Sequence, residues 1–148
     1  MDTDDADALA ARSAAAMRAN DHAATAWGLE IEAVREGYAK VAMPTTRDMS
    51  NGYGMVHGGM IFALADTAFA YACNSRDVVT VAQHGSISFI DAGRVGERLV
   101  AEAREVGSRG RSGVYAVTVS GGDGRVVAVM QGLGRSLGRP VIDAGAAG

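Results

Sequence analysis

The chain has 148 residues, 48% of them hydrophobic and 21% charged, with a formal net charge of -3 at pH 7. That length predicts one domain over 1–148, able to bury a core without metal or disulfide, and the lone Cys73 excludes an internal disulfide. The net negative charge argues against a general nucleic-acid binder, and the acidic start Met1-Asp2-Thr3-Asp4-Asp5 lacks the basic and apolar regions of a secretory signal, which predicts a cytoplasmic protein.

Residues 5–19 are rich in alanine, with Asp4 ahead and Asn20-Asp21 behind. They predict a short helix with an acidic first turn, inside a helical extension over 1–22. Leu29, Ile31 and Ala33 then alternate with Glu30 and Glu32, and Ala39, Val41 and Met43 alternate with Tyr38 and Lys40. This predicts two strands around a turn at Glu36-Gly37, ended by Pro44, which has no N–H to donate. Residues 45–57 lack periodicity and contain Asn51-Gly52 and Gly54, a loop pattern.

From Gly58 to Cys73 the only charged residue is Asp66. The run is shorter than the roughly 20 apolar residues of a membrane span, so no membrane partner is expected. It predicts instead a helix buried on all sides at the centre of a fold. Four strand-like runs follow, at 84–90, 99–106, 114–120 and 125–132. The last two flank Gly121-Gly122-Asp123-Gly124, a hairpin signal. Residues 139–148 read as a frayed tail. Strands and helices do not alternate regularly, which argues against a doubly wound parallel sheet. The expected class is α+β, one antiparallel sheet wrapped around one long helix, with enough apolar surface left over to predict an oligomer.

Two features of this pattern carry chemistry. The loop ending in His57-Gly58-Gly59 opens the apolar helix, and bare N–H groups at a helix start can hold a phosphate or polarise a carbonyl oxygen. Asp66 lies in the interior of that helix, where aspartate is a poor helix former and is rarely buried without a partner. A purely structural carboxylate, bonded to a neighbouring strand or to Thr67, is the alternative. Gly58 and Asp66 are eight residues apart, roughly 12 Å along one helix at about 1.5 Å per residue. A carboxylate and an oxyanion donor must both approach one reacting centre to about 3 Å. Two such helices antiparallel across a two-fold axis would meet that condition, with Gly58 of one chain facing Asp66 of the other.

The stretch Asn51-x-x-Gly54-x-x-His57-Gly58-Gly59-x-x-Phe62-x-Leu64-Ala65-Asp66-x-Ala68-Phe69-Ala70 resembles the hotdog-fold thioesterases of the phenylacetic-acid-degradation (PaaI) type. Gly96-Glu97-x-Leu99-x-Ala101-Glu102-Ala103 and Arg111-x-Gly113-x-Tyr115 extend the similarity, although the family often has Asp where Glu97 stands. The resemblance implies a hotdog fold and hydrolysis of acyl-CoA, with no metal and no bound cofactor. It gives Asp66 the role of catalytic carboxylate and Gly58 that of backbone donor. Asn51 takes the position that orients the attacking water, and His57 sits beside the thioester. Gly59, Phe62 and Phe69 are candidate substrate contacts. Arg109 and Arg111 are candidates for the CoA phosphates, because guanidinium pairs well with phosphate. A homodimer with shared sites is expected, and by resemblance a homotetramer. Aryl-acetyl or other aromatic acyl groups are favoured as substrates.

A dehydratase or hydratase on the same fold is one rival, but no Asp-x-Asn-Pro-x-His segment is present. A non-catalytic acyl-CoA-binding protein is another, and the helix at 5–19 is neither basic nor part of a helix-turn-helix. A dinucleotide loop at Gly52-x-Gly54 fails because His57 stands where the third glycine would be. His84 reads as a structural or edge residue, His22 as surface or cap, Trp27 as packing, and Cys73 has no base at an obvious spacing.

Overall fold

Alternating side chains produce six strands that pair antiparallel in the order β1-β2-β4-β5-β6-β3. The computed structural model describes residues 1–144. In chain order the elements are α1 (Thr3–Arg18), α2 (His22–Ala26), β1 (Glu30–Arg35), β2 (Tyr38–Pro44), a 3-10 turn (Arg47–Met49), α3 (Gly58–Cys73), β3 (Thr80–Phe89), β4 (Arg98–Arg109), β5 (Ser112–Ser120), β6 (Val126–Ser136) and α4 (Val141–Ala144). The chain leaves β2, crosses the sheet as α3, lays down β3 at the far edge and returns to pair β4 with β2. This is the expected α+β architecture, one antiparallel sheet with one long helix packed against it.

The core lies between α3 and the sheet. Ile61, Leu64, Ala65, Ala68, Phe69 and Ala72 are buried against Val41, Leu99, Ala101, Val117, Val119 and Met130. Phe69 packs edge-on against Tyr115 with ring centroids 5.4 Å apart. Its ring fills the space over Gly132, where a Cβ would approach it to 2.9 Å.

The expectation that α3 is buried on all sides needs correction. Gly59, Phe62, Ala63, Asp66, Thr67 and Ala70 form a face that stays open or half-open in a single chain. The sheet covers only one side of the helix, and these residues recur with the helical period on the other. Other expectations shift at their ends. β3 begins at Thr80 rather than at 84, β4 runs on to Arg109, and β6 to Ser136. Glycines such as Gly107 and Gly134 break the alternation there, although the backbone pairing continues. The tail from 139 does not fray at once. Asp77 Oδ1 accepts the N–H groups of Val141 (2.9 Å) and Ile142 (2.8 Å) and starts α4. Residues 145–148 of that tail lie outside the described residues. Among the described residues no helix is long and apolar enough to cross a membrane.

Candidate active site

The start of α3 is held in place by its own loop. Asn51 Oδ1 accepts the N–H groups of Tyr53 (2.9 Å) and Met55 (3.1 Å), closing the Gly52–Gly54 turn. The Asn51 side-chain amide nitrogen has no acceptor among the described residues. His57 N–H donates to Met49 O at 2.7 Å, and His57 Nδ1 accepts the Gly59 N–H at 2.9 Å. His57 is therefore the N-cap of α3. With Nδ1 accepting, the neutral imidazole carries its proton on Nε2. The cap also distinguishes the two glycines. The Gly59 N–H is occupied by His57, whereas the Gly58 N–H has no partner among the described residues.

A clamp beneath this loop fixes its position. Arg125 donates to Glu97 Oε2 at 2.6 Å, to Glu97 Oε1 at 3.0 Å and to Ala92 O at 2.7 Å. Glu97 also accepts the N–H groups of Arg94 (2.5 Å) and Gly122 (2.9 Å). The Arg125 guanidinium, with these N–H donors, holds the Glu97 carboxyl down to about 2. The clamped 91–97 turn presents Gly93 O to the N–H of Val56 at 2.9 Å, one residue before the cap. A Cβ on Gly93 would meet Val56 Cβ at 3.0 Å, so the two loops pack closely there.

Asp66 sits in different surroundings. It is half-buried on the open face of α3, and its carboxylate accepts no hydrogen bond among the described residues. Thr67 is not its partner, because the Thr67 hydroxyl donates to Ala63 O at 2.7 Å. Burial without a partner raises the Asp66 carboxyl above the ordinary aspartate range.

One chain does not bring the predicted site together. Asn51 and Gly58 line a cavity of about 430 Å³ with Val56, Phe89, Ile90 and Gly93. Asp66 lines two others. One of about 500 Å³ includes Met17, Phe69, Val79, Val81 and Val141, and one of about 420 Å³ includes Asp21, Trp27, Gly59 and Phe62. None of these three holds both Asp66 and Gly58. Arg109 and Arg111 stand at the β4–β5 turn, in cavities that contain neither. Phe69 is a buried wall and Phe62 a half-buried one. Cys73 is buried and its thiol is pushed up to about 12, which leaves no thiolate at neutral pH. His84 lies on the edge strand β3 and is exposed.

The profile of the thioesterase superfamily matches residues 53–128, a span that runs from the α3 loop through most of the sheet. The chain belongs to the thioesterase superfamily. It is 40% identical over 127 residues to the acyl-coenzyme A thioesterase PaaI of Escherichia coli (strain K12), covering 86% of this chain and 91% of that protein. The solved E. coli PaaI structure, from the phenylacetic acid degradation operon, matches with a TM-score of 0.89 at 38% identity, over 90% of this chain and 97% of that one. A hypothetical thioesterase of Streptococcus pneumoniae TIGR4, solved with coenzyme A, has a TM-score of 0.73 at 26% identity, over 76% of this chain and 90% of that one.

In this thioesterase-superfamily chain the residues that escape sequence reasoning are Arg125 and the terminal pair Met17 and Val141. Glu97 stands in a family motif, but nothing in the sequence joins it to Arg125. A glycine-rich hairpin that carries both Asp123 and Arg125 is the one visible cue. Met17 and Val141 carry none, because their importance comes from the fold bringing the two ends of the chain beside Asp66.

Proposed function

We propose that this protein hydrolyses acyl-CoA thioesters to a free acid and CoA, in active sites shared between two chains. The observation that carries the reading is the lone carboxylate. Asp66 is half-buried, has no hydrogen-bond partner among the described residues, and lies against apolar cavity walls. A carboxylate with a raised pKa is a stronger base than one in water, and it keeps both oxygens available. It activates a water or attacks the thioester carbon itself. The unpartnered Gly58 N–H at the positive end of α3 polarises the thioester carbonyl, and the Asn51 amide N–H orients the water. The thiol leaves readily because it is far more acidic than an alcohol. The reaction draws on no cofactor.

The separation of the Asp66 and Gly58 cavities supports assembly from two chains. β3 is an edge strand whose outer side is unpaired among the described residues, with Val81, Phe89 and the following Ile90 exposed at 45%, 53% and 60%. If β3 pairs antiparallel with its own copy about its midpoint, the Val79–Ala82 side of one chain meets the Phe89–Gly93 side of the other. Those are the walls of the Asp66 cavity and of the Gly58 cavity. The small residues Gly59, Ala63 and Thr67 would let the two α3 helices approach closely. A tetramer made of two such dimers is the assembly favoured by resemblance, with an aromatic acyl group as the favoured substrate and Arg109 and Arg111 as phosphate contacts.

The test is thiol release from a panel of acyl-CoAs by wild type and by Asp66→Asn, which keeps shape and removes the base or nucleophile. The expected loss of kcat is at least about 100-fold, the scale of acid–base catalysis. Near-normal turnover by the variant would exclude the assignment.

A further inference from the structure

Two elements outside the superfamily match close the larger cavity beside Asp66. The match ends at residue 128, yet Met17 of α1 and Val141 of α4 form part of that cavity's wall. Both elements are pinned. Ser13 Oγ donates to Asn74 O at 2.8 Å, and Glu36 N–H donates to Asp7 Oδ1 at 3.1 Å, which ties α1 to the end of α3 and to the β1–β2 turn. At the other terminus Val79 N–H donates to Arg139 O at 2.8 Å, and Leu137 N–H donates to Val79 O at 2.7 Å. Asp77 adopts a left-handed backbone with φ of 57° and caps α4 through two N–H groups. Such a conformation is unfavourable for a non-glycine residue and persists where the surroundings fix it. The terminal walls thus hold a set position.

We propose that the acyl group occupies this cavity and that Met17 and Val141 set the size of acyl group accepted. The inference rests on the thioesterase reading and deepens it. A carbonyl carbon within reach of Asp66 must place its acyl substituent in a neighbouring space. Two cavities touch Asp66. The smaller has the Asp21 carboxylate in its wall, which accepts from the Ala24 N–H and the Tyr71 hydroxyl and would lose its remaining solvent beside an apolar group. The larger also has Asn20, Asn74 and Arg139 in its wall, but its apolar lining, with Met17, Phe69, Val79, Val81 and Val141, is the more extensive. Its volume in one chain, about 500 Å³, falls in the range of roughly 300–1,000 Å³ typical of small-molecule sites. An acetyl group would leave most of it empty. The class of substrate that fits is an apolar acyl group well beyond acetyl, either medium-chain or aryl-acetyl. Met17 is unbranched and flexible, and it adapts to either.

The experiment compares kcat/KM for acetyl-, butanoyl-, octanoyl- and phenylacetyl-CoA in wild type, Met17→Trp, Val141→Trp and Met17→Ala. Ratios between substrates are the readout, so the amount of folded enzyme cancels. In wild type, kcat/KM rises by about fourfold per added methylene until the cavity is full, as expected for burial of apolar groups. Met17→Trp and Val141→Trp each lower the octanoyl-to-acetyl and phenylacetyl-to-acetyl ratios by at least about tenfold. Met17→Ala, which enlarges the space, moves the preferred chain to a longer one. Ratios within about twofold of wild type in both tryptophan variants, or an unchanged optimum in Met17→Ala, overturn the assignment. Absence of thiol release by wild type from every substrate refutes the thioesterase reading itself, a distinct result.

Discussion

Around Gly58 side chains and neighbouring loops tie the backbone by hydrogen bonds at almost every step, whereas the carboxylate of Asp66, farther along the same helix, has no hydrogen-bond partner among the described residues. The Asn51 turn, the His57 cap and the Arg125–Glu97 clamp all converge on the first turn of α3. The cavities at Asp66 are lined by alanines, Phe69, Met17 and Val141, with Asn20, Asn74 and Arg139 also in the wall but none of them bonded to the carboxylate. The contrast follows from what each half is proposed to do. A backbone donor acts through its position, so it needs a rigid support. A base acts through its proton affinity, so it benefits from having no partner to stabilise its charge. Rigidity has been built at one end of the helix and an unsatisfied carboxylate at the other.

The largest effect on the rigid half is expected from Gly58→Val. A Cβ at this position would meet the Phe89 ring at 3.1 Å, inside the cavity in front of the N–H. Loss of kcat by about 100-fold or more is predicted, comparable to removal of an oxyanion donor. Steady-state assays that find kcat unchanged would show that the donor lies elsewhere.

Arg125→Gln comes next. It leaves Gly58 and Asn51 intact but releases the 91–97 turn that supports Val56. A fall in kcat of about tenfold is expected with little change in KM, since positioning of the donor is felt in the transition state. The acidic limb of the pH–rate profile, which belongs to Asp66, should not move. A shifted limb would mean that the two halves of the site are not independent.

Asn51→Asp separates the two jobs of Asn51. It keeps the acceptor that closes the turn and removes the outward amide donor. A drop in kcat of several-fold with KM preserved is expected from the kinetics. Full activity in the aspartate variant, with loss only in Asn51→Ala, would make Asn51 a purely structural turn residue.

A smaller effect, on stability, probes the unsatisfied half. Burial raises the folded-state pKa of Asp66 above its unfolded value. Between those two values the folded state binds more protons, so stability falls as pH rises through the window. Above it the penalty is constant. Asp66→Asn should therefore melt at a higher temperature than wild type at neutral pH, and the difference should vanish below the ordinary aspartate range. Equal melting temperatures at both pH values would show that the carboxylate is not strained. Activity obeys the same pKa in the opposite sense, because an ionised Asp66 is needed, so turnover should rise through the window in which stability falls.

Much of this contrast was legible in the sequence, and the unequal legibility has a physical basis. Strands β1, β2, β4 and β5 follow from alternation, and α3 from an uninterrupted apolar run, because local periodicity reports which faces are buried. Asp66 stood out as the one charge in that run. The open face of α3 was not legible, since composition cannot show that a sheet covers only one side of a helix. The five-residue α2 is too short to carry a period and depends on the Asp21 cap. The Arg125–Glu97 clamp joins residues on different hairpins, and only strand pairing brings them together. The same holds for Met17 and Val141, whose proximity is created by the closed fold.

The measurement that bears most directly on the shared site mixes two inactive forms. Asp66→Asn and Gly58→Val are unfolded together, refolded, and assayed for thiol release, with mass measurement of the assembly confirming mixed dimers. In a mixed dimer with shared sites, one site carries both lesions and the other carries neither. Random pairing makes half of the dimers mixed, so activity should return to about a quarter of wild type. Mixed dimers that form and remain inactive would contradict a site completed across the two-fold axis.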